Sequence, residues 1–193
     1  MTRPLSLQNE ELNPWLRVSH CSQVSDGGSA LLLVSEEGLK KLGLNPADCT
    51  ELVAYGHATG SLYEETDALT LSTTKHAAEA AYLDAGLNPG DMKVSEVHDC
   101  FAITEILMYE ALGFADAGKG VDLVREGATG LEGKIPVNTG GGLMAFGHPV
   151  GATGVKQLKG QAGGYQVGGD LGYGITANMG GDDRTAVVTI LKG

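Results

Sequence analysis

The sequence lacks the features that mark membrane, secreted and zinc-binding proteins. No apolar run approaches the roughly 20 residues that a membrane helix needs, and the first residues contain no apolar segment typical of a signal peptide. The three cysteines, Cys21, Cys49 and Cys100, are far apart and include no CxxC pair, so neither a zinc site nor a disulfide framework is predicted. We therefore expect reduced thiols, no metal ion and a cytoplasmic location.

Basic residues are scarce as well. Lys and Arg number 13 against 24 Asp and Glu, which gives a net charge of −11. Nucleic acids and anionic membranes would be repelled by such a surface, so we expect neither of them as a partner. A local basic patch for a phosphorylated ligand is still compatible with this balance.

The chain does contain enough apolar sequence for a core. Of its 193 residues, 42% are hydrophobic and 19% are charged, as in a globular domain. The predicted strands are residues 30–34, 52–55, 94–97, 135–137, 172–177 and 185–191, and the predicted helices are residues 36–41, 73–85, 101–112 and 151–165. This alternation predicts an α/β fold with a mostly parallel sheet, which the final hairpin makes mixed. A polar arm is expected over residues 1–20, and a domain boundary near residue 50.

The first segment that carries chemistry is residues 96–101, where a predicted strand ends and a helix begins. Such junctions bring side chains to the edge of a sheet where α/β proteins bind ligands. His98 and Cys100 are two residues apart and face the same side if the strand persists. A helix N-terminus would also lower the pKa of Cys100. The alternative is a structural cysteine beside a core histidine.

The second segment is the glycine-rich stretch 138–154. It contains His148, which the following Pro149 holds in a restricted backbone. The glycines allow backbone N–H groups to approach a ligand, and the histidine could act as a base or an oxyanion donor. An irregular structural loop is the alternative. The spacing Gly140-x-Gly142-x-x-Ala145 also matches the dinucleotide fingerprint weakly, but no Walker lysine motif is present.

The third segment, residues 177–181, follows a predicted strand. A tight turn there could present backbone N–H groups as an oxyanion hole, whereas an ordinary hairpin is the alternative.

Taken together and in this order, the three segments resemble the motifs of the thiolase family. Residues 147–154 look like its histidine motif, and residues 98–101, His-Asp-Cys-Phe, resemble the motif that reads Asn-Glu-Ala-Phe in many thiolases. Residues 178–180 stand where other thiolases have Cys-x-Gly. The acid–base cysteine is thereby moved from the motif at residues 178–180 to the one at residues 98–101, as Cys100, which resembles the sterol-carrier-type and archaeal-type branches. The resemblance runs from about residue 18 to the end of the chain.

The resemblance implies the C-terminal half of such an enzyme. Residues 51–193 would form the C-terminal domain, with a mixed five-stranded sheet covered by helices. Residues 1–50 would form an arm with the last strand and helix of the N-terminal domain. The nucleophilic cysteine of thiolases belongs to the other half, and neither Cys21 nor Cys49 has its sequence context. The chain would then be a fragment, a truncation product or one subunit of a split enzyme.

The resemblance also implies roles for particular residues in thiolytic cleavage or Claisen condensation of acyl-CoA. His148 would assist deprotonation of the nucleophile, His98 would orient a donor in the same oxyanion hole, and Cys100 would move the proton at the α-carbon. The Gly180 N–H would join a second oxyanion hole, and Ser22 would contact the pantetheine arm. No metal or redox cofactor is implied, since coenzyme A is a substrate.

The implied partners are acyl-CoA, further copies of the chain in a homodimer or larger assembly, and a nucleophile-bearing half or an OB-fold acyl-CoA-binding protein. Two other functions stay open. One is a non-catalytic thiolase-like subunit of an acyl-CoA complex, and the other is a carbon–carbon lyase on the same fold. The presence of His98, Cys100 and His148 argues against both.

Overall fold

The computed structural model describes residues 15–65, 67, 69–163 and 172–193. Its helices and strands are α1 Glu36–Leu42, β1 Glu51–Thr59, α2 Ser72–Ala85, β2 Met92–Val97, α3 Ala102–Ala111, α4 Gly120–Arg125, α5 Gly142–Phe146, α6 Thr153–Gly163, β3 Tyr173–Gly180 and β4 Thr185–Lys192. Short 3-10 turns lie at Val18–His20, Pro46–Asp48 and Pro89–Asp91. The first 14 residues of the predicted arm, and the end of the last predicted helix at residues 164 and 165, lie outside the described part.

The strands form one mixed sheet in the order β1-β4-β3-β2. β2 and β3 pair in parallel, whereas β4 is antiparallel to both of its neighbours, β1 and β3. The prediction of a mixed α/β sheet is confirmed, but the prediction that it is mostly parallel is wrong. β1, β2 and β3 do run in one direction; the final hairpin inserts β4 between β1 and β3, so two of the three pairings become antiparallel.

The predicted strand at residues 135–137 is reduced to a single bridge. Val137 bridges Ser95 in parallel, next to β2 at the edge of the sheet. Ser95 donates its N–H to the Pro136 carbonyl at 2.9 Å and accepts the N–H of Asn138 at 2.9 Å. Pro136 has no N–H of its own, which limits any further pairing at this edge. The expected fifth strand is therefore present only as this bridge.

Helices cover the sheet and supply the rest of the core. α2 packs on β1 and β4, and α6 packs on β2 and β3. The fully buried side chains of the strands include Val97, Ile175, Val188 and Ile190. The predicted ends of α2 are confirmed within one residue, because Gly86 adopts a left-handed conformation with φ 66 and closes the helix. α4 and α5 were not predicted, since each is short and begins at a glycine, without a side-chain cap.

The segment before β1 differs from its prediction. Residues 30–34 do not form a strand, and Leu32 and Leu33 are 79% and 72% exposed. A strand needs a paired neighbour, and no strand in the described part of the chain pairs with this segment. The helix that follows is confirmed: the Ser35 hydroxyl accepts the N–H of Gly38 at 3.2 Å, and Gly43 ends α1 with φ 67.

Candidate active site

The predicted ligand-binding edge lies at the C-terminal end of β2, beside β3. Val97 is the last residue of β2 and the register partner of Ala177 in this parallel pair, so His98, directly after β2, and Asn178 on β3 are the next residues. The Asn178 amide donates to the Gln157 side chain at 3.0 Å, which ties the edge to α6. Parallel strands thus bring the first and third sequence segments to one place, as expected for an α/β sheet.

His98 and His148 meet at this edge. Their ring centroids are 4.8 Å apart and their planes are nearly perpendicular, at 88°. His98 is buried, and this burial, together with the neighbouring His148, lowers its pKa to about 4. Burial also lowers the pKa of His148. Both rings are therefore neutral near pH 7, and neutral imidazoles can accept as well as donate a proton.

The chain holds His148 from both sides. Its backbone N–H donates to the Gln23 carbonyl at 3.1 Å, and its Nδ1 lies 2.7 Å from the Thr153 hydroxyl. Gly147, directly before it, has φ 81, and a Cβ at that position would lie 2.1 Å from the Ser25 hydroxyl. Only glycine fits such a position. The arrangement therefore explains a glycine before the histidine in the second segment.

Cys100 lies two residues after His98, just before α3. Its Sγ is 3.7 Å from the Thr104 hydroxyl, and its carbonyl accepts the N–H of Ser22 at 2.8 Å. We expected the helix N-terminus to lower its pKa, but burial raises the pKa of the Cys100 thiol. Loss of water around the thiolate outweighs the hydrogen bonds from Thr104 and the local backbone. Cys100 therefore rests as a thiol, and Ser22 lies beside it.

Asp99 connects the two histidine-bearing segments. Its carboxylate accepts the backbone N–H of Leu143 at 2.7 Å and that of Met144 at 3.4 Å, at the start of α5. The approach is so close that a Cβ on Gly142 would lie 2.2 Å from the carboxylate. α5 ends two residues before His148. Asp99, the neighbour of His98, therefore holds the start of the helix that precedes His148.

Glu96 holds the beginning of the same glycine-rich segment. It is 1% exposed, and its carboxylate accepts from the Thr139 hydroxyl at 3.5 Å and from the Gly140 backbone. Its Oε2 has no hydrogen-bond partner, although the Lys156 ammonium lies 3.7 Å away. Burial raises the pKa of Glu96 more than this lysine lowers it. The lysine also lies 4.6 Å from the centre of the Phe146 ring.

Sequence reasoning missed Asp99, Glu96 and Asn138. Asn138 is buried, accepts the Val97 N–H at 2.9 Å and donates to Glu105 at 3.2 Å. A signal was available, because these are polar residues next to apolar strand positions, where an unpaired polar group would be costly. Their partners lie some 40 residues away in the sequence, and pattern reading does not identify such pairs.

Gly180 occupies the last position of β3, in the hairpin that leads to β4. Its carbonyl accepts the Arg184 N–H at 3.0 Å, and Gly180 pairs with Thr185 across the hairpin. The turn residue Asp183 is buried and accepts the N–H groups of Thr73 and Thr74 at the start of α2, at 2.8 and 2.9 Å. These contacts anchor the predicted oxyanion turn to α2.

A cleft of about 360 Å³ lies beside the His148 segment, lined by Ser25–Ser29 and Pro149–Ala152. Among the described residues, no group of three or more His, Cys, Asp and Glu side chains is arranged to hold a metal ion. None of the described helices is long and apolar enough to cross a membrane.

Comparison with known proteins gives the same family for most of the chain. Residues 54–193 match the protein-family model described as thiolase C-terminal domain-like. An acetyl-CoA acetyltransferase of Methanothermobacter thermautotrophicus is 40% identical over 184 residues, which cover 92% of this chain and 48% of that protein. A sterol carrier protein 2 of Gallus gallus is 39% identical over 175 residues, which cover 84% of this chain and 32% of that protein.

A solved structure, an Ltp2-ChsH2(DUF35) aldolase, superposes with a TM-score of 0.77 at 21% identity. It covers 99% of this chain and 52% of that one. At this identity the likeness concerns the fold alone. The chain spans about half the length or less of the curated relatives described above.

The matched segment includes most of β1, the strands β2 to β4, His98, His148, Cys100 and the β3–β4 turn. The motifs, the mixed sheet and the family match agree, and the chain belongs to the thiolase family, of which it carries the C-terminal domain.

Proposed function

We propose that this chain is the C-terminal part of a thiolase that cleaves or condenses acyl-CoA, and that the nucleophilic cysteine is supplied by another half. The observation that carries the proposal is the perpendicular pair of His98 and His148, 4.8 Å apart, with Cys100 two residues from His98. Acid–base groups from two distant segments, His98 and His148, therefore meet at one edge of the sheet. A scaffold would have no need of this arrangement.

In condensation, the cysteine of the other half attacks the thioester carbonyl of one acyl-CoA and becomes acylated, and coenzyme A leaves as the thiol; in cleavage, it attacks the β-keto carbonyl and the acyl-CoA enolate leaves. His148, neutral because burial lowers its pKa, accepts the proton of the attacking thiol. In condensation it passes that proton to the leaving sulfur, and in cleavage the protonated ring donates a hydrogen bond to the enolate oxygen. His98 orients a donor at that oxygen. Because its lowered pKa keeps the ring neutral, the site does not have to bury a positive charge on His98 in addition to the charge that His148 gains.

Cys100 transfers the proton at the substrate α-carbon. Since burial raises its pKa, it rests as a thiol and donates that proton in the direction of thiolytic cleavage. Condensation uses the same step in reverse. The Gly180 N–H would complete a second oxyanion hole for the acyl-enzyme carbonyl. Ser22, whose N–H donates to the Cys100 carbonyl, would contact the pantetheine arm.

The missing half is part of the proposal. The relatives extend well beyond the matched region, and the exposed segment 30–34 has no strand partner in the described chain. A nucleophile-bearing half would provide one. A homodimer or larger assembly, and an OB-fold acyl-CoA-binding protein, are further proposed partners.

The test compares the purified chain with the complete enzyme, meaning this chain produced together with a nucleophile-bearing thiolase half. We expect acetoacetyl-CoA cleavage, followed by loss of its absorbance, only in the complete enzyme. Turnover by the chain alone that depends on Cys21 or Cys49 would overturn the assignment of the nucleophile. Cleavage of a β-hydroxyacyl-CoA without any nucleophilic cysteine would instead support the lyase function.

A further inference from the structure

The hydroxyl of Thr153 lies between His148 and a backbone carbonyl. Its Oγ1 is 2.7 Å from His148 Nδ1 and 3.1 Å from the Pro149 carbonyl oxygen. Thr153 itself is only 3% exposed, so its hydroxyl is largely shielded from bulk water. The first turn of α6 thus brings a single buried hydroxyl into contact with the ring of the proposed base.

One hydrogen decides how these contacts are made. A threonine hydroxyl has one proton to donate, and a carbonyl oxygen can only accept. If the Thr153 proton points to Pro149, then Oγ1 must accept from His148, and Nδ1 carries a hydrogen. The opposite arrangement places two oxygen lone pairs 3.1 Å apart with no hydrogen between them. In a buried setting that repulsion is not relieved by water.

The Pro149 carbonyl also accepts the N–H groups of Ala152 and Thr153, at 2.8 and 3.1 Å. It acts as an acceptor in both of these contacts, and in the first arrangement the Thr153 hydroxyl is a third donor to it. Each of the contacts around the hydroxyl then has one donor and one acceptor. The second arrangement leaves the contact between the two oxygens without a donor.

We infer that Thr153 fixes the tautomer of His148, with the hydrogen on Nδ1 and the lone pair on Nε2. A neutral imidazole can act as a base only through its unprotonated nitrogen. Thr153 is thus a positioning residue, which acts through His148 and does not touch the substrate. The catalytic meaning of this tautomer rests on the proposed thiolase function, but the tautomer itself does not.

The test is NMR of the chain with 15N-labelled histidine at about pH 8, where a histidine of ordinary or lowered pKa is neutral. Signals of His148 are assigned by their loss in His148→Gln. We expect Nε2 at the shift of an unprotonated ring nitrogen and Nδ1 at that of a protonated one. The reverse pattern in the wild-type protein would overturn the inference, whether or not any variant folds.

Two substitutions of Thr153 separate its hydroxyl from its shape. Thr153→Val keeps the volume and removes the hydroxyl, so the two nitrogen shifts of His148 should move towards each other as both tautomers become populated. Thr153→Ser keeps the hydroxyl and should restore the wild-type pattern. Wild-type shifts in a folded Thr153→Val protein would contradict the inference. No readout uses turnover, so a failed thiolase assay would count against the proposed function and not against the tautomer.

Discussion

The carboxylate of Asp99 accepts the backbone N–H of Leu143 at 2.7 Å, and this contact helps to join the two histidine-bearing segments. Asp99 follows His98 directly, and Leu143 lies in the short helix that ends just before His148. Because the carboxylate is buried, the contact has a defined geometry and little competition from water. The spacing of the two histidines therefore depends on a residue that is neither of them.

We predict that Asp99→Asn loosens the His148 segment. An asparagine has one acceptor oxygen, and its NH₂ group would face an N–H donor at the start of α5. The loss should cost roughly 1–3 kcal/mol of unfolding free energy, as for other buried polar groups left unpaired. Hydrogen exchange of the Leu143 and Met144 amides should accelerate more than the decrease in the free energy of global unfolding would by itself produce. Asp116→Asn, at an exposed position, is the matched control; unchanged exchange in Asp99→Asn would contradict the coupling.

His98 should make stability depend on pH in the weakly acidic range. Its pKa is about 4 in the folded chain and about 6.5 when unfolded, so the unfolded state binds a proton first as the pH falls. The contribution of neutral His98 to the free energy of unfolding is therefore complete above its pKa in the unfolded state, and it is lost as the pH falls towards its pKa in the folded state. Between about pH 7 and about pH 5 the wild type should lose about 2 kcal/mol relative to His98→Asn.

Denaturant unfolding of both proteins at a series of pH values measures this difference. The comparison is necessary because burial raises the pKa of Glu96, Asp99 and Glu105. Protonation of these carboxyls favours the folded state as the pH falls, which is opposite to the effect of His98, and it does so in both proteins. His76→Asn, on the exposed face of α2, controls for the substitution itself. Parallel pH profiles for wild type and His98→Asn would show that His98 titrates normally.

Asp183 should anchor the β3–β4 turn that contains Gly180. α2 has no side-chain cap from its own N-cap residue, Leu71, and the carboxylate of Asp183 accepts two of its N–H groups instead. Asp183→Ala should then cost roughly 1–3 kcal/mol. Asp182→Ala is a close control, because both residues have positive φ, 56 and 61, but Asp182 is exposed. Equal losses in the two variants would assign the effect to backbone strain.

The parts of the fold that followed from the sequence are those decided locally. α2 could be predicted because Gly86 ends it, and the β3–β4 hairpin because glycine and aspartate occupy its turn. The position of β4 could not be predicted, since the hydrophobic alternation within a strand does not show which strands lie beside it in the sheet. Residues 30–34 have a strand composition but no strand, because pairing requires a neighbour that this part of the chain does not provide.

In the site, too, the sequence motifs identified single residues but not the contacts that depend on distant parts of the chain. His98, Cys100 and His148 could be selected from their motifs, and the structure brings the two histidines together. Their catalytic roles stay predictions. The direction of the Cys100 pKa was predicted wrongly, because burial depends on α3 and on the segment around Ser22, which pattern reading does not place. Asp99 and Glu96 were missed since their partners are known only from the folded chain.

We predict that the isolated chain self-associates. Leu32 and Leu33 lie on an unpaired extended segment and are largely exposed, and contiguous apolar surface of this kind promotes association. Sedimentation at several concentrations should show a dimer or larger species. The double variant Leu32→Ser, Leu33→Ser should shift the distribution towards monomer. A wild-type monomer whose sedimentation does not change with concentration would contradict this prediction.

The role of Cys100 is the most specific part of the proposed mechanism. Acylation of the nucleophile by acetyl-CoA requires no proton transfer at the α-carbon, whereas condensation does. Cys100→Ala in the complete enzyme should therefore separate the two half-reactions, while Cys49→Ala, which alters a cysteine outside the site, should affect neither. His148→Ala should impair both half-reactions.

The most direct measurement is exchange of the acetyl-CoA α-protons with deuterated water, followed by NMR, beside acyl-enzyme formation followed by mass spectrometry. For Cys100→Ala we predict normal acylation and an exchange rate reduced roughly 100- to 10,000-fold, the usual effect of losing a general acid or base. Wild-type exchange in a normally folded Cys100→Ala enzyme would contradict the account and leave Cys100 with a structural role.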